Sequence, residues 1–201
     1  TGFQKGDTVV ATTGGMGRMY DGSYAEFVSV PSENVHKVKT SLSWVELASI
    51  PESFHTAWGV LNRALDITKD QTILIRGGAS SVGLVAANYA SLMGVRIIST
   101  TRNEKKIEKL LEFGAQEVLI DTGRIQEQIK ELVPKGVDGV FDLVGTRVLD
   151  DTFGCIRNGG ILCIVGMLGG QWTIDQFSPG SIIPSTTKLT LFSSTSTPLS
   201  A

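Results

Sequence analysis

From residue 71 onward the chain repeats one pattern: a short run of mostly branched apolar residues, a turn, then a stretch with helical spacing. Residues 72–75 lead into a helix predicted over 81–93, 95–100 into one over 103–113, 117–120 into one over 124–133, and 137–143 into one over 147–156. Runs at 161–165 and 188–193 close the series. Strands that are apolar along their whole length have no face to offer to water, so the helices between them must cover both sides. The alternation therefore predicts an α/β chain built on a parallel sheet. Gly94, Gly114, Gly136 and Gly159 follow the predicted helices, where a left-handed cap suits glycine.

Before residue 71 the character differs. Residues 8–11, 23–30 and 35–38 read as strands, with a loop of Gly14, Gly15, Gly17 and Gly22 between the first two. Ser43 is placed to cap a short helix containing Glu46, and Pro51 separates it from a helix over 53–65. Two units are expected: a β-rich part over 1–50 and the parallel sheet over 51–201. The opening at Thr1, already close to a strand, suggests a segment of a longer protein, and the Ser/Thr-rich end over 193–201 is expected to fray.

Composition narrows the function. With 18 Lys+Arg against 20 Asp+Glu the chain lacks the basic excess of a nucleic-acid binder. Its longest apolar runs fall far short of the roughly 20 residues that span a bilayer. No leader pattern opens it, so no membrane partner is expected. The two cysteines, Cys155 and Cys163, make neither a disulfide framework nor a metal cluster and suit a cytoplasmic location.

The turn after residues 72–75 carries the chemistry. Gly77-Gly78-Ala79-Ser80-Ser81-Val82-Gly83 runs from a strand directly into a helix, aiming backbone N–H groups and a helix N-terminus at one point. That arrangement suits a pyrophosphate. Gly78 and Gly83 match the ends of the G-x-G-x-x-G pattern of dinucleotide-binding Rossmann folds, with Ser80 in place of the middle glycine. A nucleophile elbow would need glycine where Val82 stands, and both histidines, His36 and His55, precede the turn. A glycine turn that binds nothing is the plain alternative. On the following strand, residues 98–103 offer Thr101 and Arg102 where NAD-binding chains place a ribose-holding acid, with Lys105 and Lys106 just after. An arginine there accommodates a 2′-phosphate, and the charge-assisted contact is worth roughly 1.5–3 kcal/mol. NADPH is therefore expected over NADH, although these cations can also be read as a solvated first turn.

With those residues placed, the chain resembles the medium-chain dehydrogenase/reductase superfamily, and within it the zinc-independent, zeta-crystallin-like quinone oxidoreductase branch. The matching motifs are Gly6-Asp7-Thr8-Val9, Gly22-Ser23-Tyr24-Ala25-Glu26-Phe27-Val28, Thr56-Ala57-Trp58, the phosphate turn, Leu111-Glu112-Phe113-Gly114-Ala115, Val137-Asp138-Gly139-Val140-Phe141-Asp142 and Asn158-Gly159-Gly160. The resemblance implies part of a GroES-like catalytic domain over 1–50 and an NADP-binding Rossmann domain over 51–201, the latter without its C-terminal return segment. It implies cofactor contacts from Ser80, Ser81 and Val82 to pyrophosphate, and from Thr101, Arg102 and Lys106 to the 2′-phosphate. Val144 and Gly145 would line the cofactor, Thr56 would stand on the nicotinamide side, and Val165, Gly166 and Met167 would lie beneath the ring. Phe192, Ser193 and Ser194 would complete that pocket.

Zinc-dependent members carry a four-cysteine lobe that the loop from Gly14 to Gly22 lacks, so no structural zinc is expected. Glu52 stands where their third catalytic zinc ligand lies, and is read as a polar residue at the cleft mouth rather than a ligand; no metal is expected. Cys155, Cys163, Trp58, Phe54 and Tyr24 read as packing residues, and His36 and His55 as structural. The resulting expectation is an NADPH-dependent reductase passing hydride to a small-molecule acceptor, a quinone or α,β-unsaturated carbonyl, with no side-chain acid demanded. A zinc alcohol dehydrogenase and a non-catalytic NADPH-binding module are the alternatives. The resemblance further implies a homodimer paired through the sheet edge at 188–193.

Overall fold

A computed structural model describes residues 2–195. Strands β1 (Val9–Ala11) and β2 (Val35–Lys37) pair antiparallel in a small sheet of their own. Helix α1 (Trp44–Ser49) starts at Ser43, whose side chain accepts from the Glu46 N–H while the Glu46 carboxylate accepts from the Ser43 N–H. This is the reciprocal cap that the Ser-x-x-Glu spacing predicts. Pro51 is the first residue of α2 (Pro51–Gly59) rather than a spacer before it. The missing N–H costs nothing there.

The main sheet contains β3 (Thr72–Arg76), β4 (Arg96–Thr101), β5 (Glu117–Ile120), β6 (Val137–Asp142), β7 (Ile156–Ile164) and β8 (Lys188–Leu191). All six are parallel, in the order β5-β4-β3-β6-β7-β8. Counted from β3 this is the 3-2-1-4-5-6 order of the doubly wound Rossmann fold, with the reversal between β3 and β6. Successive strand side chains point to opposite faces, and two cores follow. Ile73, Ile75 and Ile97 join Val60 and Leu61 with Ala86, Ala87 and Ala90 of α3 (Ser81–Leu92) and Leu110 of α4 (Ile107–Glu112). Leu74 and Ile98 join Ile129 of α5 (Gln126–Leu132) and Leu149 and Phe153 of α6 (Leu149–Gly154) on the other. A four-residue helix α7 (Pro179–Ile182) precedes β8. Among the described residues no helix is long and apolar enough to cross a membrane.

Several boundaries differ from expectation. Residues 23–30 form no strand: Tyr24 is fully exposed and Phe27 88% exposed, so neither packs, and the segment's alternating pattern finds no partner strand among the described residues. The helix expected over 53–65 changes character after Gly59, where the Leu65 N–H reaches back five residues to the Val60 carbonyl in a π turn. Phe54 lies on an exposed face, with its ring set edge-on to Tyr89. The helix expected to reach 156 stops at Gly154, and β7 begins at Ile156, so Gly159 sits inside a strand whose pairing with β6 shifts register. Expected frayed positions 196–201 lie outside the described residues.

Cys155 and Cys163 are wholly buried in the two cores, as packing residues should be, and burial pushes both thiols up to about 12. Because the thiolate is the reactive form, neither should react with iodoacetamide at pH 8 in the folded chain, and both should react in denaturant. Mass spectrometry of the alkylated protein checks this; rapid labelling of either thiol without denaturant would contradict the packing.

Candidate functional site

Most candidate residues lie where the parallel strands end, and Thr56 lies in α2. Gly77 follows β3 with a φ of +83°, its N–H donating to Thr100 Oγ1 at 3.0 Å, and the Gly78 N–H donates to the Thr100 carbonyl at 3.0 Å. Ser80 caps α3, its hydroxyl oxygen accepting from the Gly83 N–H at 3.1 Å. The first-turn N–H groups of Ser81 and Val82 thus face outward without an intrahelical acceptor. Glycine is required at 83 by contact rather than by dihedral. A Cβ there would stand 2.5 Å from the Gly78 carbonyl oxygen and 2.6 Å from its Cα. A Cβ at Gly78 would strike the Ser99 hydroxyl. Both glycines are needed for the loop to close on its own backbone and on β4.

Arg76, the last residue of β3, is completely buried. Its Nε and Nη2 donate to Asp121 Oδ2 and Oδ1 at 2.9 and 3.1 Å, and its Nη1 donates to Thr152 Oγ1 at 2.8 Å and ion-pairs with Asp151 Oδ2 at 2.7 Å. Asp151 in turn accepts from the Ile125 and Gln126 N–H groups at the start of α5. Burial alone would push the Asp121 carboxyl up, but the Arg76 guanidinium, with the Gly123 N–H and the Thr100 hydroxyl, holds it below the usual carboxylate range. Asp142, at the end of β6, shows the opposite balance. Burial pushes its carboxyl up although the Gly145 and Val144 N–H groups donate to its Oδ1 at 2.8 and 2.7 Å.

Above this network opens a cleft of about 660 Å³ at the topological switch point between β3 and β6. Of the residues singled out from the sequence, Ser80, Thr101, Arg102, Lys106 and Val144 line it. Arg102 and Lys106 are solvent-exposed at its rim. Gly145, at φ +91°, does not line the cleft but seals its back. A Cβ there would stand 2.8 Å from the Gly166 carbonyl oxygen, so the Val144-Gly145 turn lies against the Val165–Met167 turn. Sequence reasoning missed Asp121, Thr122, Gly123 and Arg147, which also line the cleft.

The remaining singled-out residues form a second cluster beyond β8. Thr56 is buried in α2 beside His55, whose ring meets Phe192 edge-on at 6.1 Å. Phe192 packs so closely on Gly59 that a Cβ there would overlap its ring. Glu52 Oε2 accepts from Thr13 Oγ1 at 2.8 Å and its Oε1 accepts from Ser194 Oγ, while Ser193 Oγ lies 2.7 Å from Thr195 Oγ1. One carboxylate thus joins the β1 loop, α2 and the end of the main sheet.

With this geometry in view, comparison with known proteins decides the family. Residues 81–197 match the model of the zinc-binding dehydrogenase family. The chain belongs to that family. The match agrees with the resemblance to the medium-chain dehydrogenase/reductase superfamily and its quinone oxidoreductase branch. A quinone oxidoreductase of Homo sapiens is 26% identical over 169 residues, 83% of this chain and 50% of the relative. Among solved structures, a mycobacterial protein crystallised with NADPH superposes with a TM-score of 0.83 at 27% identity, covering 96% of this chain and 58% of that one. A quinone oxidoreductase of Pseudomonas syringae reaches 0.85 at 21% identity, over 96% and 58%, and speaks for the fold. The chain spans about half the length of the curated relatives it matches.

The family's name carries zinc, and the side chains of the described residues do not form a ligand set for it. No group of three or more His, Cys, Asp or Glu that could hold a metal occurs among the described residues. Both Glu52 oxygens accept from hydroxyls.

Gly83→Ala sets two effects against each other in this zinc-binding dehydrogenase family member. Alanine gains about 1 kcal/mol of helix propensity, but its Cβ meets backbone at 2.5 Å. The clash should win, lowering the thermal midpoint; a midpoint raised by the substitution would show that the loop and α3 are not packed as described.

Proposed function

We propose that this chain is the cofactor-binding part of an oxidoreductase that passes a hydride from NADPH to a small acceptor, a quinone or an α,β-unsaturated carbonyl. The observation that carries the proposal is the sign of the cleft: Arg102 and Lys106 stand at its rim, while Asp121, the one carboxylate among the described residues that line it, is already engaged by Arg76. A ribose-holding acid of the NAD type needs a free oxygen, and Asp121 has none to offer. The quinone oxidoreductase relatives and the NADPH-bound mycobacterial neighbour support the same reading.

The nicotinamide dinucleotide would supply the hydride, and the chain's residues would bind, orient and exclude water. Gly78 and Gly83 let the loop pack against Ser99 and the start of α3, with Ser80 as the cap, so that the Ser81 and Val82 N–H groups can meet a pyrophosphate at the positive end of α3. Thr101, Arg102 and Lys106 would hold the 2′-phosphate. Val144 with Gly145 and Val165 with Gly166 and Met167 would floor the passage toward Thr56, Phe192, Ser193 and Ser194, the nicotinamide side. Holding two reactants in register can supply about 7–11 kcal/mol of barrier lowering, so no side-chain acid is required. The same reading takes residues 1–50 as part of a GroES-like catalytic domain, 51–201 as the Rossmann domain, and β8, the end strand of the sheet, as a pairing edge between two copies.

Calorimetric titration should give tighter binding of NADPH than NADH, and Arg102→Ala should weaken NADPH about ten- to a hundredfold while leaving NADH nearly unchanged. Equal losses for both would overturn the phosphate assignment. Loss of NADPH absorbance with a quinone and enone panel, followed in the full-length protein, tests the acceptor class, and an inert panel there would contradict it.

A further inference from the structure

Among the described residues Asp121 is the sole carboxylate lining the cleft, and its electron pairs are fully engaged. A carboxylate offers about four acceptor sites. Asp121 Oδ1 accepts from Arg76 Nη2 at 3.1 Å and the Gly123 N–H at 2.8 Å, and Oδ2 accepts from Arg76 Nε at 2.9 Å and Thr100 Oγ1 at 3.4 Å. Four donors meet four sites. The carboxylate is 8% exposed and the guanidinium behind it 0%. The fork geometry of arginine fixes both oxygens at once, which a point charge such as lysine could not do. Arg76 itself does not line the cleft.

Resting on the NADPH reading above, we propose that Arg76 is a positioning residue for cofactor choice. From beneath the cleft it turns Asp121 away from a ribose hydroxyl and cancels its charge, leaving the cationic rim of Arg102 and Lys106 unopposed toward a 2′-phosphate. The energetic logic is Coulombic. In a partly desolvated cleft a bare carboxylate repels phosphate with an effective dielectric far below that of water. A freed Asp121 would also offer its oxygens to the 2′-hydroxyl of an unphosphorylated ribose. Both effects move preference in one direction, from the 2′-phosphorylated to the plain nucleotide. Arg76 has further partners, Asp151 and Thr152, that keep it in place when Asp121 changes. The charge role can therefore be separated from the bracing role.

The separation uses 2′,5′-ADP and 5′-AMP, which differ by the 2′-phosphate, titrated calorimetrically into four folded chains: unaltered, Arg76→Met, Asp121→Asn and the double variant. Circular dichroism melts establish that each chain folds. Arg76→Met should lower the affinity ratio of 2′,5′-ADP to 5′-AMP by tenfold or more. Asp121→Asn, which leaves Arg76 braced on Asp151 and Thr152, should raise it about threefold. The double variant should return it to within threefold of the unaltered chain. Equal weakening of both nucleotides by Arg76→Met, with no recovery in the double variant, would make Arg76 a brace only. If Arg76→Met does not fold, an unchanged ratio in Asp121→Asn overturns the proposal by itself. Failure of the unaltered chain to prefer 2′,5′-ADP would instead remove the underlying NADPH reading.

Discussion

A guanidinium cannot be taken out of water unless its donors and its charge are answered. The effective desolvation cost is several kcal/mol per ion even after the surroundings relax. Arg76 is buried at the carboxyl end of β3, and what answers it comes from distant parts of the chain: Asp121 after β5, Asp151 and Thr152 in α6, and the Val148 carbonyl. The consequence is geometric. The end of β3 is tied across β4 to the end of β5 on one side, and to α6 on the far side of the switch point. Asp151 extends the tie to the start of α5. The glycine loop begins at the next residue and inherits this anchorage through Thr100, which accepts from Gly77 and donates to Asp121.

The sheet order then separates two groups of candidate residues along one edge. The cleft at the β3/β6 reversal gathers the phosphate turn and the cationic rim, while the cluster of Thr56, His55, Phe192 and Glu52 lies at the β8 end. Turns after β6 and β7 connect them, packed so closely at Gly145 and Gly166 that no side chain fits between. A dinucleotide's two halves need such a spacing of unlike surfaces. Parallel strands supply it because all their carboxyl ends open on the same side.

Much of this was legible in the sequence, for reasons that particular residues make plain. Whole-length apolar strands between helical spacings indicate a covered parallel sheet, and a glycine pair closing on a helix start indicates a tight loop, because both signals are local. Ser43 announced its cap for the same reason. The segment 23–30 misled because alternation marks a strand only when a neighbour pairs with it, and Tyr24 and Phe27 are exposed. The Arg76 network was the larger omission. Its partners lie 45 and 76 residues downstream at Asp121 and Thr152, and no periodicity links them. The one signal was an arginine ending an otherwise apolar strand directly before the glycine turn, a place where a charge can be tolerated only with buried partners.

The central claim is that a buried arginine engages the acid that lines the cleft and leaves the rim free for a 2′-phosphate. A crystal structure of the chain grown with NADP⁺ tests it most directly. The account predicts density for the 2′-phosphate between Arg102 and Lys106, with both Asp121 oxygens still on Arg76. Asp121 turned onto the ribose with the phosphate pointing to solvent would contradict it.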